Sequence, residues 1–161
     1  MYDWSGIYFL KALGSTKQAA TAAFVFYMVA MTIGRVAGDK LVDKVGIKKI
    51  LFYSGLFITT GLVIAVLLPF TIPCIIGYIF TGFGVSCIVP LVFSLAGKSK
   101  TMSGASALAS ISTIGYLGFL LVPPLVGFVA QVAGIRVSFG IIALLGGIIL
   151  WMVSQIKEEA A

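Results

Sequence analysis

No histidine occurs anywhere in the chain. The commonest general base and the commonest metal ligand are thereby absent. Serine or threonine needs a neighbouring base to act as a nucleophile, and no Ser–His, Ser–Lys, His–Glu or metal-ligand arrangement is found in the apolar runs. An enzyme is the weakest reading, and no catalytic residue, cofactor or metal site is expected. Charge is scarce as well: 10% of the residues are charged and 60% are hydrophobic. A soluble domain carries roughly 25% charged residues. A water-soluble chain of this size has no way to hide so much apolar surface, so its solvent is lipid. The two cysteines, Cys74 and Cys87, fall on one predicted helix, about 20 Å apart by helical rise. That distance excludes a bridge between them, and both read as packing residues. No basic leader or small-residue cleavage site precedes an apolar core near Met1, so the N-terminus is not expected to be a signal peptide.

What the chain does contain is long apolar runs. Five are long enough to span a bilayer, which takes about 20 residues. They cover 19–38, 50–68, 73–96, 104–133 and 137–156. The fourth is overlong for a straight span, and Pro123 and Pro124 are expected to kink it. A shorter apolar stretch, 2–13, ends in the loop signal Gly14-Ser15-Thr16-Lys17. It reads either as an interfacial helix with Tyr2, Trp4 and Tyr8 at headgroup level, or as the tail of a sixth helix. The fold expected is an all-α membrane protein, a single bundle of five complete transmembrane helices plus a truncated N-terminal helix.

The net charge of +6 does not point to nucleic acid. The basic residues sit in short gaps between apolar runs and form no basic helix face. Lys40, Lys44, Lys48 and Lys49 fill the first gap, with Arg35 at its edge. Lys98 and Lys100 fill the third, and Lys157 lies in the tail. The second gap is uncharged and the fourth holds Arg136. The positive-inside rule then places the C-terminus in the cytoplasm and the N-terminus outside. A five-span chain of that orientation inserts awkwardly, whereas six spans with both ends inside are ordinary, as though half a helix were missing from the front. Asp43-Lys44-Val45-Gly46-Ile47-Lys48 and Gln131-Val132-Ala133-Gly134-Ile135-Arg136 form a faint repeat. Inverted three-helix repeats would place the two copies on opposite sides of the membrane. Chance likeness of two glycine turns explains it equally well.

The first gap reads Gly34-Arg35-Val36-Ala37-Gly38-Asp39-Lys40-Leu41-Val42-Asp43-Lys44-Val45-Gly46-Ile47-Lys48-Lys49. Gly34 and Gly38, four apart, permit close helix approach. Asp39 and Asp43 are interleaved with basic residues. Such a loop is either a charge network that holds in one conformation and breaks in another, or a solvated topology loop. Gly46 allows the tight turn into the next helix.

This segment resembles the signature loop of the major facilitator superfamily. Its Gly-Arg-x-x-Gly-Asp variant, one residue longer than the common spacing, resembles the bacterial fucose-permease-like branch. Asp3-Trp4-Ser5-Gly6-Ile7-Tyr8 resembles the outer end of that family's helix seven. Pro90-Leu91-Val92-Phe93-Ser94-Leu95-Ala96-Gly97 resembles the inner end of helix ten, and Gly115-Tyr116-Leu117-Gly118 with Pro123-Pro124 resembles helix eleven. The resemblance implies the C-terminal half of a major-facilitator fold. It also implies transport of a small sugar- or drug-like solute by alternating access.

Intramembrane ionisable residues would be the first substrate-site candidates, but Asp3 is the only acid near a span. Family topology places the helices of Tyr27, Tyr78, Thr81, Ser86, Ser112, Thr113 and Tyr116 near the central cavity, and Asp3 and Trp4, at the outer end of helix seven, join them as substrate-site candidates. Hydroxyl-bearing and aromatic side chains suit sugars and amphipathic molecules. Each such residue also has a plainer use, bonding a neighbouring helix. Expected partners are the lipid bilayer, a small-molecule substrate, and an N-terminal transporter half or a second copy. Expected location is the plasma or bacterial inner membrane. Two other readings stand beside transport: a non-transporting gene fragment, and a small membrane-embedded interaction protein.

Overall fold

A computed structural model describes residues 4–99 and 102–155. Tyr2, Asp3, Lys100, Lys157 and the end of the fifth expected span lie outside the described residues. A short segment, α1, begins as an α-helical stretch, Ser5–Ile7, and continues as a π-helical stretch, Tyr8–Ala12. Then come α2 (Lys17–Val45), α3 (Ile47–Leu67), α4 (Thr71–Gly97), α5 (Gly104–Val132) and α6 (Ile135–Gln155). Among the described residues, these five are long and apolar enough to cross a membrane. Helices suit that solvent because each satisfies its own backbone hydrogen bonds.

Local chemistry sets the boundaries. Thr16 caps α2 by accepting from the Ala19 amide at 3.3 Å, and Ser103 caps α5 by accepting from Ser106 at 3.2 Å. One glycine joins α2 to α3 and one sits in the turn from α5 to α6. Gly46 has φ +88° and Gly134 has φ +90°, a region where L side chains are strained. The two halves of the faint repeat thus each turn on a positive-φ glycine, and helix order puts the turns at opposite ends of the bundle.

The first charged gap is not a loop. α2 stays helical through Gly34, Arg35, Gly38, Asp39 and Asp43 to Val45, leaving Gly46 as the turn. At 29 residues α2 runs about 43 Å, longer than the ~30 Å hydrocarbon core. Its charged end can therefore lie in water without unwinding. Lys44 in the last turn suits the negative end of the helix dipole.

α4 is the hub. Its contacts with α3 and α2 are the most extensive in the bundle, and α6 packs on the other side of α3. Glycines make this possible: a Cβ on Gly61 of α3 would collide with the Gly77 carbonyl of α4, and one on Gly77 would collide with the Gly61 carbonyl. Sequential neighbours α2 and α3 touch far less. α5 is the least buried span and sits at the edge. It stays helical through Pro123 and Pro124. Those two residues have no amide hydrogen, so the Phe119 and Leu120 carbonyls go without their helical donors.

α1 packs into the bundle rather than lying along its outer surface. Tyr8 and Phe9 are fully buried, and the Tyr8 ring lies 4.4 Å from Phe139 of α6. The Phe9 ring meets Tyr78 of α4 edge-on at 5.4 Å. The Tyr8 hydroxyl donates to the Ala65 carbonyl of α3 at 2.5 Å. α1 is thus a wedge shared by α3, α4 and α6. At the same end Ser15 hydrogen-bonds Thr71 at 2.5 Å, and Arg136 Nη2 donates to the Val66 carbonyl at 2.8 Å.

Candidate functional site

α5 carries Ser112, Tyr116, Phe119, Pro123 and Gly127 at steps of three or four residues, which places them on one face. Two hollows lie along this face. The first, about 650 Å³, opens between α5 and α4. Ser112, Gly115, Tyr116 and Phe119 form one wall; Ile88, Val89, Val92 and Phe93 form the other. Gly115 has no neighbour within 4 Å of where a Cβ would stand, which leaves the wall open there. Ser112 is half-buried and Tyr116 exposed. No charged side chain lines this hollow. Its volume lies within the range of about 300–1,000 Å³ typical of small-molecule sites, and so does its character: apolar walls with a few hydroxyls.

The second hollow, about 450 Å³, is shallower and lies where α5 meets α1. Trp4, Pro123, Pro124, Gly127 and Gln131 line it. The Trp4 ring lies so close to Gly127 that a Cβ there would meet it at 2.9 Å. The Trp4 indole nitrogen is buried and makes no hydrogen bond among the described residues. Asp3, the neighbouring candidate, lies outside the described residues.

The remaining candidates are not in these hollows. Tyr27 is buried where α2 crosses α4, its carbonyl 2.5 Å from where a Gly82 Cβ would stand. Tyr78 is stacked in the aromatic core at 6.5 Å from Phe139, its hydroxyl buried without a hydrogen-bond partner among the described residues. Thr81 donates to the Gly77 carbonyl of its own helix at 2.8 Å, and Thr113 to Ala109 at 2.9 Å. Of the sequence candidates, the structure brings Ser112 and Tyr116 together in one hollow and Trp4 into the other. Tyr27, Tyr78 and Thr81 are buried in helix–helix contacts outside both hollows.

The charged motif packs on α4. Gly34 lies against Ser86, and Gly38 against the Cys87 thiol, which donates to the Gly34 carbonyl at 3.4 Å. Arg35 Nε donates to the Ser86 carbonyl at 3.5 Å, a long bond. Pro90 explains why that carbonyl is available. Residue 90 would normally supply the amide for carbonyl 86, and proline has none. Asp39 and Asp43 are exposed. Sequence reasoning passed over this Pro90–Ser86–Arg35 link. A proline inside an apolar span was the available signal, since it always frees the carbonyl four residues earlier. The apolar wall of the first hollow carried no signal, because Ile, Val and Phe occupy every membrane helix. Among the described residues, no three metal-ligating side chains converge.

Comparison with known proteins gives a family and several relatives. The family model for the Major Facilitator Superfamily matches residues 3–160. An uncharacterized MFS-type transporter of Yersinia pestis is 38% identical over 145 residues, covering 90% of this chain and 38% of that protein. Membrane protein MosC of Rhizobium meliloti is 29% identical over 147 residues, covering 91% of this chain and 36% of that protein. The uncharacterized transporter y4wD of Sinorhizobium fredii is 27% identical over 157 residues, covering 97% of this chain and 41% of that protein. The chain thus spans well under half the length of the curated relatives it matches. No solved structure matches it.

Proposed function

Because this chain belongs to the Major Facilitator Superfamily, we propose that it works as the C-terminal part of a transporter. That transporter moves a small sugar- or drug-like solute by alternating access. The observation that carries the proposal is the hydroxyl-bearing hollow between α4 and α5, open on the side that α5 leaves uncovered. A second unit, an N-terminal half or another copy of this chain, closes it. Ser112 and Tyr116 meet the solute, and Asp3 and Trp4 guard its outer end. Tyr27, Tyr78 and Thr81 hold the helices that carry the wall. The lysine-rich end faces the cytoplasm, in a plasma or bacterial inner membrane, by the positive-inside rule. The Gly-Arg-x-x-Gly-Asp spacing supports a place near the fucose-permease-like branch. Asp39 and Asp43 act in the conformational change, with Arg35 tying that end of α2 to α4.

Uptake tests this. The chain is co-expressed with an N-terminal half, and accumulation of a panel of labelled sugars and fluorescent drug-like probes is measured. Ser112→Phe should fill the hollow and reduce uptake at least tenfold at unchanged membrane level. Asp43→Ala should reduce it without changing probe binding. Wild-type uptake in the Phe variant would remove the hollow from the path.

A further inference from the structure

A different cavity stands apart from the α4–α5 hollow. α2 and α3 follow one another in sequence yet barely touch, because both pack on α4. Between them is a wedge of about 240 Å³. Its floor is Ser86 and Cys87 of α4, seen past Gly34 and Gly38. Its sides are Ala37, Leu41 and Val45 of α2 and Ile50, Tyr53 and Phe57 of α3. The lining is almost wholly apolar. Ala37, Leu41, Tyr53 and Phe57 are exposed, so the wedge opens sideways toward the surrounding bilayer. From Gly34 to Val45 it runs along about 16 Å of helix, the reach of a hydrocarbon chain rather than of a compact solute.

Charge gathers at one end of this wedge. Val45 and Ile50 mark its end beside the Gly46 turn. Lys44 immediately precedes Val45, and Lys49 immediately precedes Ile50. By the helical period, Lys44 flanks the stripe Gly34–Gly38–Leu41–Val45, whereas Asp39 and Asp43 fall on the far side of α2. Lys49 flanks the stripe Ile50–Tyr53–Ser54–Phe57 in the same way. By the same period Lys40 and Lys48 fall away from the stripes on their own helices. α3 begins without an acidic residue in its first turn and without a side-chain cap, which keeps the local field positive. Long lysine side chains at a helix end reach the headgroup layer readily.

We propose that this wedge binds an anionic phospholipid. One acyl chain lies between α2 and α3, and the phosphate sits against Lys44 and Lys49. Apolar lining alone would admit any hydrocarbon. The basic pair at the wedge's end, with the acids turned away, selects the headgroup charge. Bound there, the lipid fills the gap that the α4-centred packing leaves and braces the charged end of α2 against α3.

The test uses the full chain in detergent, stripped of lipid and followed by native mass spectrometry. It is titrated separately with dioleoyl phosphatidylglycerol and dioleoyl phosphatidylcholine, which share acyl chains and differ in charge, and with glycerol 3-phosphate. Phosphatidylglycerol should bind more tightly than phosphatidylcholine by roughly fivefold per lysine, on the order of 25-fold for the pair. Lys44→Gln with Lys49→Gln should erase that preference while leaving weak binding of both lipids. Ala37→Phe, at an exposed position on the wedge wall, should weaken both. If it folds poorly by circular dichroism, Ala37→Leu serves instead. Equal binding of the two lipids by the wild type overturns the proposal. So does a preference that survives the double substitution, which would leave the lysines as topology signals alone. Binding unchanged by the wedge-filling variant places the acyl chain elsewhere. Full competition by glycerol 3-phosphate makes the site one for free phosphate.

Discussion

Gly61 is a point where the bundle has no room for a methyl group. A Cβ there would meet Thr81 Oγ1 at 2.6 Å as well as the Gly77 backbone. Gly61→Ala should therefore destabilise the chain by about 1–3 kcal/mol through overpacking, read as a lower melting temperature in detergent. Gly140→Ala, which meets nothing within 4 Å, should stay within about 0.5 kcal/mol of wild type. Tyr8→Phe removes the hydroxyl that ties α1 to the Ala65 carbonyl. Its cost should be about 0.6 kcal/mol and no more than ~1.7, the range for side-chain bonds between membrane helices. Residue types alone marked Gly34 and Gly38 as close-approach positions, and Ser86 and Cys87 of α4 are what they approach. They did not separate Tyr78 from Tyr116. Both are hydroxyl-bearing aromatics on apolar helices, yet one is stacked in the core and the other stands exposed. Which face a residue takes depends on neighbours from distant parts of the chain, and hydropathy on an all-apolar helix carries no periodic signal to reveal it.

Among elements, the runs of apolar residues located all five long helices, since in lipid a span must be helical and its length is set by bilayer thickness. Their ends were less legible. Charge marks the end of the apolar run in α2 but not the end of the helix, because a helix can carry lysine and aspartate freely once it leaves the hydrocarbon, and Gly46 turns the chain. Gly46 has ψ 153° with φ +88°, a conformation essentially reserved for glycine. Gly46→Ala should cost about 1–3 kcal/mol, again measured as a melting shift. Gly134→Ala, at the matching turn, should lose stability too. Pro123 and Pro124 leave α5 short of two helical hydrogen bonds, which favours bending of that stretch. Replacing both by alanine should slow hydrogen exchange across residues 119–128, and in a joined transporter it should lower uptake if α5 bends during the cycle.

For the whole molecule, coverage is uneven: α4 is enclosed by α2 and α3, while α5 presents Ile114, Tyr116, Phe119 and Leu120 outward. If a second half closes on that face, a maleimide should label Phe119→Cys at least tenfold more slowly when both halves are present. Leu144→Cys, on the exposed outer part of α6, should label at the same rate in either case. The arrangement of helices around α4 was not legible in sequence, because it rests on glycine contacts between residues far apart in the chain. The two native thiols turn that arrangement into a pair of built-in reporters. Both belong to α4 and both are buried, yet they watch different seams. Cys74 donates to the Ala65 carbonyl of α3 at 3.4 Å, near the end that holds α1. Cys87 donates to the Gly34 carbonyl of α2, toward the lysine-rich end. A rigid rocking bundle keeps both thiols silent to a membrane-permeant reagent throughout the cycle. A bundle that flexes exposes one before the other, and the thiol that reacts first names the seam that opens, without a single engineered residue.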